Sequence, residues 1–269
     1  MLTISQFSSI VQEAYRNGVP HGHERSILRE YLQCEILSLI FEHPDSKNFA
    51  FIGGTSLRLL FNLDRFSEDL DFDYFMPSTK KATPLFLYLT SALQRRGYDV
   101  VFREKNSQTD RGGVLVFSKL FYLLGLSGYA DEALKIKIDY TNQRKGETEV
   151  SLLNRFGFAE QITTLPLSIL CARKAHALMN RKRLQGRDLY DLAWFFSRRI
   201  TPDEKTLLAI GIESSIQLLE WIKKLYESRG SEIAGYERDI SPFLIDSNNV
   251  KLIRLLPSLA VSILAKTQI

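Results

Sequence analysis

Residues 49–75 have the sequence FAFIGGTSLRLLFNLDRFSEDLDFDYF, and this stretch decides the fold. Its first four residues are apolar and stop at Gly53 and Gly54, which is typical of a short buried strand that turns into a helix. The following TSLRLLFNL has the composition of a helix start. DLDFDYF alternates acidic and apolar residues, so it predicts a strand with its acids on one face. Strand, glycine turn, helix and strand together predict a mixed α/β core.

Outward from this stretch, the chain alternates between apolar strand patterns and helical spacing. Further strands are predicted over residues 98–104, 112–125 and 133–142, with 150–154 as another candidate. The fold class predicted is α+β, a mixed-sheet core with helices before and after it. We expect three parts: a helical N-terminal arm (1–46), the core (47–165) and a C-terminal helical domain (166–269).

Three local signals refine the helices. Thr83 and Pro84 predict a helix start with the threonine as N-cap and the proline at the first helical position. The sequence TPDE at 201–204 predicts another start, with a capping-box glutamate. Residues 235–243 are predicted to form a loop.

The bulk composition is that of a globular protein. The chain has 269 residues, 45% apolar and 25% charged, with a formal net charge of +4. Cys34 and Cys171 stand alone in apolar runs, which excludes a disulfide framework or a zinc-finger spacing. Neither a signal peptide nor an apolar stretch of membrane-spanning length is present, so we expect a cytoplasmic protein with no membrane partner.

The acids of the second strand are the first candidates for chemistry. Asp69 and Asp71 are two residues apart and therefore share a strand face, where a hard divalent cation would relieve their repulsion. Asp73 continues the same face. Asp139 is the fifth residue of the alternating segment KIKIDY at 135–140 and is a third candidate ligand. Taken alone, Asp-x-Asp is a weak signal, and a solvent-facing acidic strand edge is the simpler interpretation.

The glycine turn is the second candidate. Glycines let the backbone approach a ligand closely, and the helix N-terminus that follows offers N–H groups to a triphosphate. The hydroxyl of Thr55 or Ser56 could add a hydrogen bond. A plain strand-to-helix turn is the alternative. The Walker pattern is absent, which excludes a P-loop ATPase.

Taken together, these motifs are similar to those of the polymerase-β-like nucleotidyltransferases. More closely, the chain resembles the AbiEii/AbiGii abortive-infection toxins, the MenT-like nucleotidyltransferases. The resemblance rests on GGTSL at 53–57, RFSEDLDF at 65–72, Lys137-Ile138-Asp139, Lys174 and RDLYDL at 187–192.

The resemblance implies a set of site residues. The implied catalytic residues are Asp69, Asp71, Asp139, Lys174 and Asp191, and the first three are the implied ligands of Mg²⁺ or Mn²⁺. The implied nucleotide-binding residues are Gly53, Gly54, Thr55, Ser56, Arg65, Ser67, Lys137, Arg187 and Asp188. Lys174 is expected to pair with a phosphate, and Asp191 to orient Lys174 or to contact the nucleotide. A surface ion-pair helix is the alternative for residues 187–191.

The implied function is a metal-dependent nucleotidyltransferase toxin that uses a nucleoside triphosphate. The implied acceptor is the tRNA 3′ end, with the basic residues Arg181, Lys182, Arg183 and Arg187 as the RNA footprint. The implied partner is a cognate antitoxin, expected to be a winged-helix regulator. Two alternatives stay open: modification of a protein or small molecule, and a non-catalytic member that binds RNA or protein. The nucleotide transferred is not specified.

Overall fold

The computed structural model describes residues 1–77, 79–105 and 111–265. These residues form two compact units. Of the described residues, those within 1–62 and 66–164 form the first unit, and those within 63–65 and 165–265 form the second. The helices of residues 1–46, which we expected as an arm, are part of the first unit.

The first unit is built on a mixed seven-stranded sheet, in agreement with the predicted α+β class. Its strands are β1 (Phe49–Ile52), β2 (Leu70–Tyr74), β3 (Val100–Glu104), β4 (Arg111–Phe117), β5 (Leu134–Asn142), β6 (Glu149–Arg155) and β7 (Phe158–Thr164). Their spatial order is β3-β4-β5-β2-β1-β7-β6. The pairs β2/β5 and β1/β7 are parallel, and the others are antiparallel.

The helices of this unit are α1 (Ile4–Arg16), α2 (Glu24–Glu42), α3 (Gly53–Phe61), α4 (Thr83–Arg95) and α5 (Leu120–Leu123). A 3₁₀ turn at Pro44–Asn48 ends the long α2 and leads into β1. Helix α2 is buried along most of its length and carries Glu30 into the interior. There Glu30 pairs with Arg58 of α3 and Arg155 of β6, each at 2.9 Å. These ion pairs fix α3, the helix that follows the glycine turn.

Strand alternation divides β5 into an apolar and a polar face. Leu134, Ile136, Ile138 and Tyr140 are buried. The intervening Lys135, Lys137, Asp139 and Thr141 lie on the opposite face, because side chains alternate along a strand. Leu70 and Phe72 of β2 are buried in the same way. Burial of one face thus holds the acids of both strands on the other.

The second unit is helical. Its helices are α6 (Leu167–Asn180), α7 (Gly186–Ser197), α8 (Glu204–Ala209), α9 (Ser215–Arg229), α10 (Ile233–Ile240) and α11 (Leu252–Leu264). Helix α7 is the core of the unit and packs against α6, α10 and α11. A Cβ at Gly186 would lie 2.0 Å from the carbonyl oxygen of Tyr236, so only glycine permits this approach of α7 to α10. Within the described part of the chain, every helix is too short or too polar to cross a lipid bilayer.

Several local predictions were wrong. The strand expected over 112–125 ends at Phe117, and Lys119 adopts φ +60° where the chain turns into α5. Thr83 donates its hydroxyl to Glu104 at 3.0 Å, and Ala82 is the N-cap of α4. Asp203, not Thr201, caps α8 by accepting from the Thr206 N–H at 2.7 Å. The loop expected over 235–243 is largely helix α10.

Candidate active site

The candidate acids of the first unit lie on neighbouring strands. β2 and β5 pair in parallel with Asp71 directly opposite Asp139. Side chains at paired positions point to the same side of a sheet, and neighbouring strands lie about 4.8 Å apart. Asp69 comes immediately before β2, two residues ahead of Asp71. Asp73 follows on the same strand but is buried.

Two lysines neutralise Asp139. The ammonium groups of Lys105 and Lys137 lie 2.6 Å and 2.5 Å from its two carboxylate oxygens. The hydrogen bond to Asp139 raises the pKa of Lys137; partial burial opposes this, and the charges of Asp139, Asp69 and Asp71 add to it. The three acids and Lys137 therefore act on one another electrostatically.

Lys105 was not predicted from the sequence. It lies one residue beyond β3, and its backbone N–H donates to the carbonyl of Gly112 at 3.0 Å, which extends the β3–β4 pairing. Only the sheet order, which puts β4 between β3 and β5, brings Lys105 to Asp139. No short motif around Lys105 signals this contact.

The acids of this face include donors suited to a divalent cation. Asp69 and Asp71 offer hard carboxylate oxygens of the kind that Mg²⁺ prefers. Among the described residues, however, no group of three or more His, Cys, Asp or Glu side chains is arranged to hold a metal ion. Both carboxylate oxygens of Asp139 are engaged by Lys105 and Lys137. Asp69 and Asp71 therefore fit the cation, whereas the predicted third ligand is occupied by lysines.

The glycine turn abuts the acid strand. Gly53 begins α3 with φ +82°, and a Cβ there would lie 2.3 Å from Oδ2 of Asp71. Only glycine fits, both because of the left-handed backbone and because of the carboxylate. Ile52 is the N-cap of α3, and its side chain accepts no hydrogen bond. The cap residue therefore does not compete with a ligand for the first N–H groups of the helix, including that of Gly54.

The hydroxyls of Thr55 and Ser56 are used inside the protein. The Thr55 hydroxyl donates to the carbonyl oxygen of Asp69, and that of Ser56 donates to the carbonyl of Gly53 at 3.0 Å. Both residues are fully buried. They fix the turn and the start of the acid strand, whereas the sequence led us to expect a hydroxyl directed at the nucleotide.

The loop before Asp69 is held by hydrogen bonds from a residue distant in sequence. Gln33 of α2, itself buried, donates to the backbone carbonyls of Ser67 and Glu68, each at 3.0 Å. The side chain of Ser67 is partly exposed. Gln33 thus positions the residues leading into β2, and its separation in sequence hid this role from motif analysis.

The second group of predicted residues lies in the second unit and centres on Asp191. Its carboxylate accepts two hydrogen bonds from the Arg65 guanidinium, at 2.7 and 2.8 Å, and pairs with Lys174 at 2.7 Å. Asp191 is fully buried and Arg65 nearly so. Burial acts to raise the pKa of Asp191, but Arg65 and Lys174 outweigh it and lower the pKa to about 2. A carboxylate so enclosed is in position to orient Lys174, and this role of Asp191 stays a prediction.

Asp188 and Arg187 differ in exposure. Asp188 is buried one turn before Asp191 and pairs with Arg181 at 3.0 Å. Burial raises its pKa, against the opposing charges of Lys174 and Arg181. Arg187 is exposed, as are Lys182 and Arg183. The alternative of a purely surface ion-pair helix does not fit Asp188 and Asp191.

A mixed sheet with paired acids beside a glycine turn, followed by a helical unit, defines a nucleotidyltransferase-type protein. The chain belongs to the AbiEii nucleotidyltransferase toxin family of type IV toxin–antitoxin systems, whose family model matches residues 35–246. No curated protein sequence matches it.

Several solved structures share the fold, including JHP933 and MenT4. JHP933 from Helicobacter pylori aligns with a TM-score of 0.59 and 18% identity, covering 90% of this chain and 93% of that one. MenT4, a nucleotidyltransferase toxin from Mycobacterium tuberculosis H37Rv, aligns with a TM-score of 0.58 and 17% identity, covering 97% and 90%. At such low identity the likeness establishes the fold, and the chemistry must be argued from this chain's own residues.

Proposed function

We propose that this chain transfers a nucleotide from a nucleoside triphosphate to the 3′ end of an RNA, with tRNA as the expected acceptor. The observation that carries the proposal is the pairing of Asp71 with Asp139 on one sheet face, with Gly53 packed against Asp71. Carboxylates so placed beside uncapped helix N–H groups suit a triphosphate and a divalent cation.

The residues of the first unit take distinct roles in this proposal. Asp69 and Asp71 would hold Mg²⁺ or Mn²⁺, which when bound neutralises phosphate charge and aligns the reacting oxygens. Asp139 orients Lys105 and Lys137, whose ammonium groups are partly exposed and can donate to phosphate oxygens. The N-terminus of α3 provides further N–H donors. The contact of Lys174 with a phosphate, and nucleotide binding by Ser67, Arg187 and Asp188, stay predictions.

Charge balance supports a divalent cation. Asp69, Asp71 and Asp139 carry three negative charges, and Lys105 and Lys137 offset two of them. A face with residual negative charge attracts a triphosphate poorly. We therefore expect nucleotide binding to need a divalent cation even though both lysines are present.

An RNA acceptor is favoured over a small molecule by exposed cations. Lys182, Arg183 and Arg187 are exposed within a short stretch of the second unit, which is typical of phosphate contact. The type IV toxin family implies an antitoxin partner. A winged-helix antitoxin and a cytoplasmic location stay predictions.

The test is transfer of label from each of the four nucleoside triphosphates to total tRNA, with Mg²⁺ or with EDTA. Asp71→Asn should reduce transfer by at least ~100-fold, since a metal ligand supplies several kcal/mol to the transition state. Glu68→Gln is the matched control, because Glu68 is an exposed acid three residues away, just before β2. Label appearing in protein instead of RNA would establish the alternative acceptor, and full transfer by Asp71→Asn would refute the site.

A further inference from the structure

The second unit contains a pocket that the candidate active site does not use. It has a volume of about 310 Å³ and lies between the end of α6 and one face of α9. Trp221, Lys224, Leu225 and Ser228 line it at helical spacing on α9, and Lys182 lines it from beyond α6. One wall is thus aromatic and apolar, and the rim is cationic.

The rim cations differ in whether they already have a partner. Arg181 pairs with Asp188, and Arg229 lies 3.4 Å from Glu232. Lys182 and Lys224 have no ion pair among the residues that the structure describes, and both are exposed. Two ammonium groups on one pocket rim are therefore available to an anionic ligand.

The lining matches a nucleotide better than other anions. Trp221 is half-buried, so part of its indole is presented to the pocket. A nucleobase stacks on such a surface, and Leu225 and Met179 extend it with apolar contacts. The volume is at the low end for ligand pockets, which suits one nucleotide and excludes a duplex. An acidic peptide could form ion pairs with the lysines, but its carboxylate side chains have no planar ring to stack on the indole.

We propose that this pocket binds one nucleotide of single-stranded RNA, with the base on Trp221 and the phosphate between Lys182 and Lys224. The assignment rests on the proposed RNA acceptor and adds to it a binding site for an unpaired nucleotide. Stacking holds any base, so the pocket confers preference for single strands and little preference for sequence.

Trp221 itself can report the binding. The chain has two tryptophans, and the other one, Trp194, is a buried residue of α7. Trp194→Phe therefore leaves Trp221 as the only indole, and its fluorescence is titrated with a ten-nucleotide single-stranded RNA of mixed sequence. Inorganic phosphate and an oligoglutamate peptide serve as comparison probes. We expect strong quenching by the RNA and little by either comparison probe.

Variants then separate the pocket from general electrostatics. Lys182→Gln with Lys224→Gln should weaken RNA binding on the order of tenfold and lower the log–log salt slope by about 0.7, because the two lysines share one phosphate contact. Lys223→Gln is the matched control, since Lys223 is the exposed neighbour of Lys224 and does not line the pocket. Trp221→Leu should also weaken binding on the order of tenfold, measured by anisotropy of labelled RNA on the otherwise unaltered chain.

Different outcomes of these experiments would contradict different parts of the proposal. Equal weakening by Lys223→Gln and by the double variant Lys182→Gln with Lys224→Gln, or no loss with Trp221→Leu, would overturn the pocket assignment. Quenching by oligoglutamate as strong as by RNA would overturn the nucleotide in favour of an acidic protein ligand. RNA binding is measured without transfer, so intact quenching in a protein that transfers no nucleotide would refute the proposed function and support the pocket. If Trp194→Phe does not fold, the anisotropy measurement decides alone.

Discussion

Substitution of Asp191 by asparagine tests the buried cluster of the second unit. The amide is nearly isosteric with the carboxylate, so the change removes charge without creating a cavity. It leaves Arg65, 4% exposed at its side chain, and Lys174, 19% exposed, without their shared counter-ion. Breaking a buried ion pair from one side costs about 3–5 kcal/mol. For a chain of this size the melting temperature should fall by roughly 6–20 °C.

Two further variants provide reference values for the stability lost in Asp191→Asn. Lys174→Met leaves Asp191 with both of its hydrogen bonds from Arg65, so we expect a loss of only about 1–2 kcal/mol. Arg254→Gln removes a bidentate pair with Glu237, but the Arg254 side chain is 64% exposed, so water screens the pair and the loss should be the smallest of the three. The expected order of destabilisation is Asp191→Asn, then Lys174→Met, then Arg254→Gln.

Denaturant unfolding and thermal melting measure the stability of all three variants. The dependence of that stability on pH provides an independent check. The folded pKa of Asp191 is lowered to about 2 from an ordinary value near 4, so its contribution is present above pH ~4 and lost as pH falls toward 2. The difference between wild type and Asp191→Asn should shrink over that window. A loss for Asp191→Asn no greater than that for Arg254→Gln would refute the argument that Asp191 is a buried counter-ion.

Two predictions concern the first unit. Gly53→Ala should destabilise the protein by about 1–2 kcal/mol and cut transfer at least ~10-fold, because the new Cβ displaces the Asp71 carboxylate. Gly125→Ala is the control, since Gly125 has φ +74° and lies in open space. Its alanine variant should have a similar backbone cost but keep transfer. Equal transfer by the two alanine variants would show that the Asp71 contact does not matter. Lys137→Gln should raise the KM for the triphosphate by about 10- to 100-fold, whereas Lys135→Gln, on the same strand face, should not. An unchanged KM for Lys137→Gln would remove Lys137 from the nucleotide site.

Strong periodic patterns predicted the elements that carry the acids. Strands β2 and β5 alternate strictly, and both are present where the pattern placed them. Strand β7 was missed because only Ile162 and Thr164 of its seven residues are buried, which leaves little hydrophobic alternation to recognise. Helix α10 was taken for a loop, yet Ile233, Tyr236 and Ile240 are buried at helical spacing. Short elements leave too few apolar positions to decide their period.

Motifs predicted the acids and the glycine turn but not their supporting residues. Gly53 and Asp71 lie in one motif, so the sequence indicated both, and their contact follows from the pairing of β1 with β2. Lys105 and Gln33 reach the site from elements distant in sequence, and no local pattern marks them. The hydroxyl of Thr55 shows the reverse case, since the motif indicated a ligand contact and burial gives it a backbone partner.

Exposure explains why similar ion pairs have different roles in the two units. Lys105 and Lys137 are 27% and 40% exposed at their side chains, so under the proposed function a phosphate can reach them beside Asp139 without leaving buried charge unpaired. Asp191 is fully buried and has no such freedom, because any exchange would leave buried charge unpaired. Substitutions around Asp139 should therefore alter nucleotide affinity before stability, whereas substitution of Asp191 should alter stability first. Under the proposed function, the same carboxylate chemistry thus serves a ligand site where water reaches it and a rigid support where water does not.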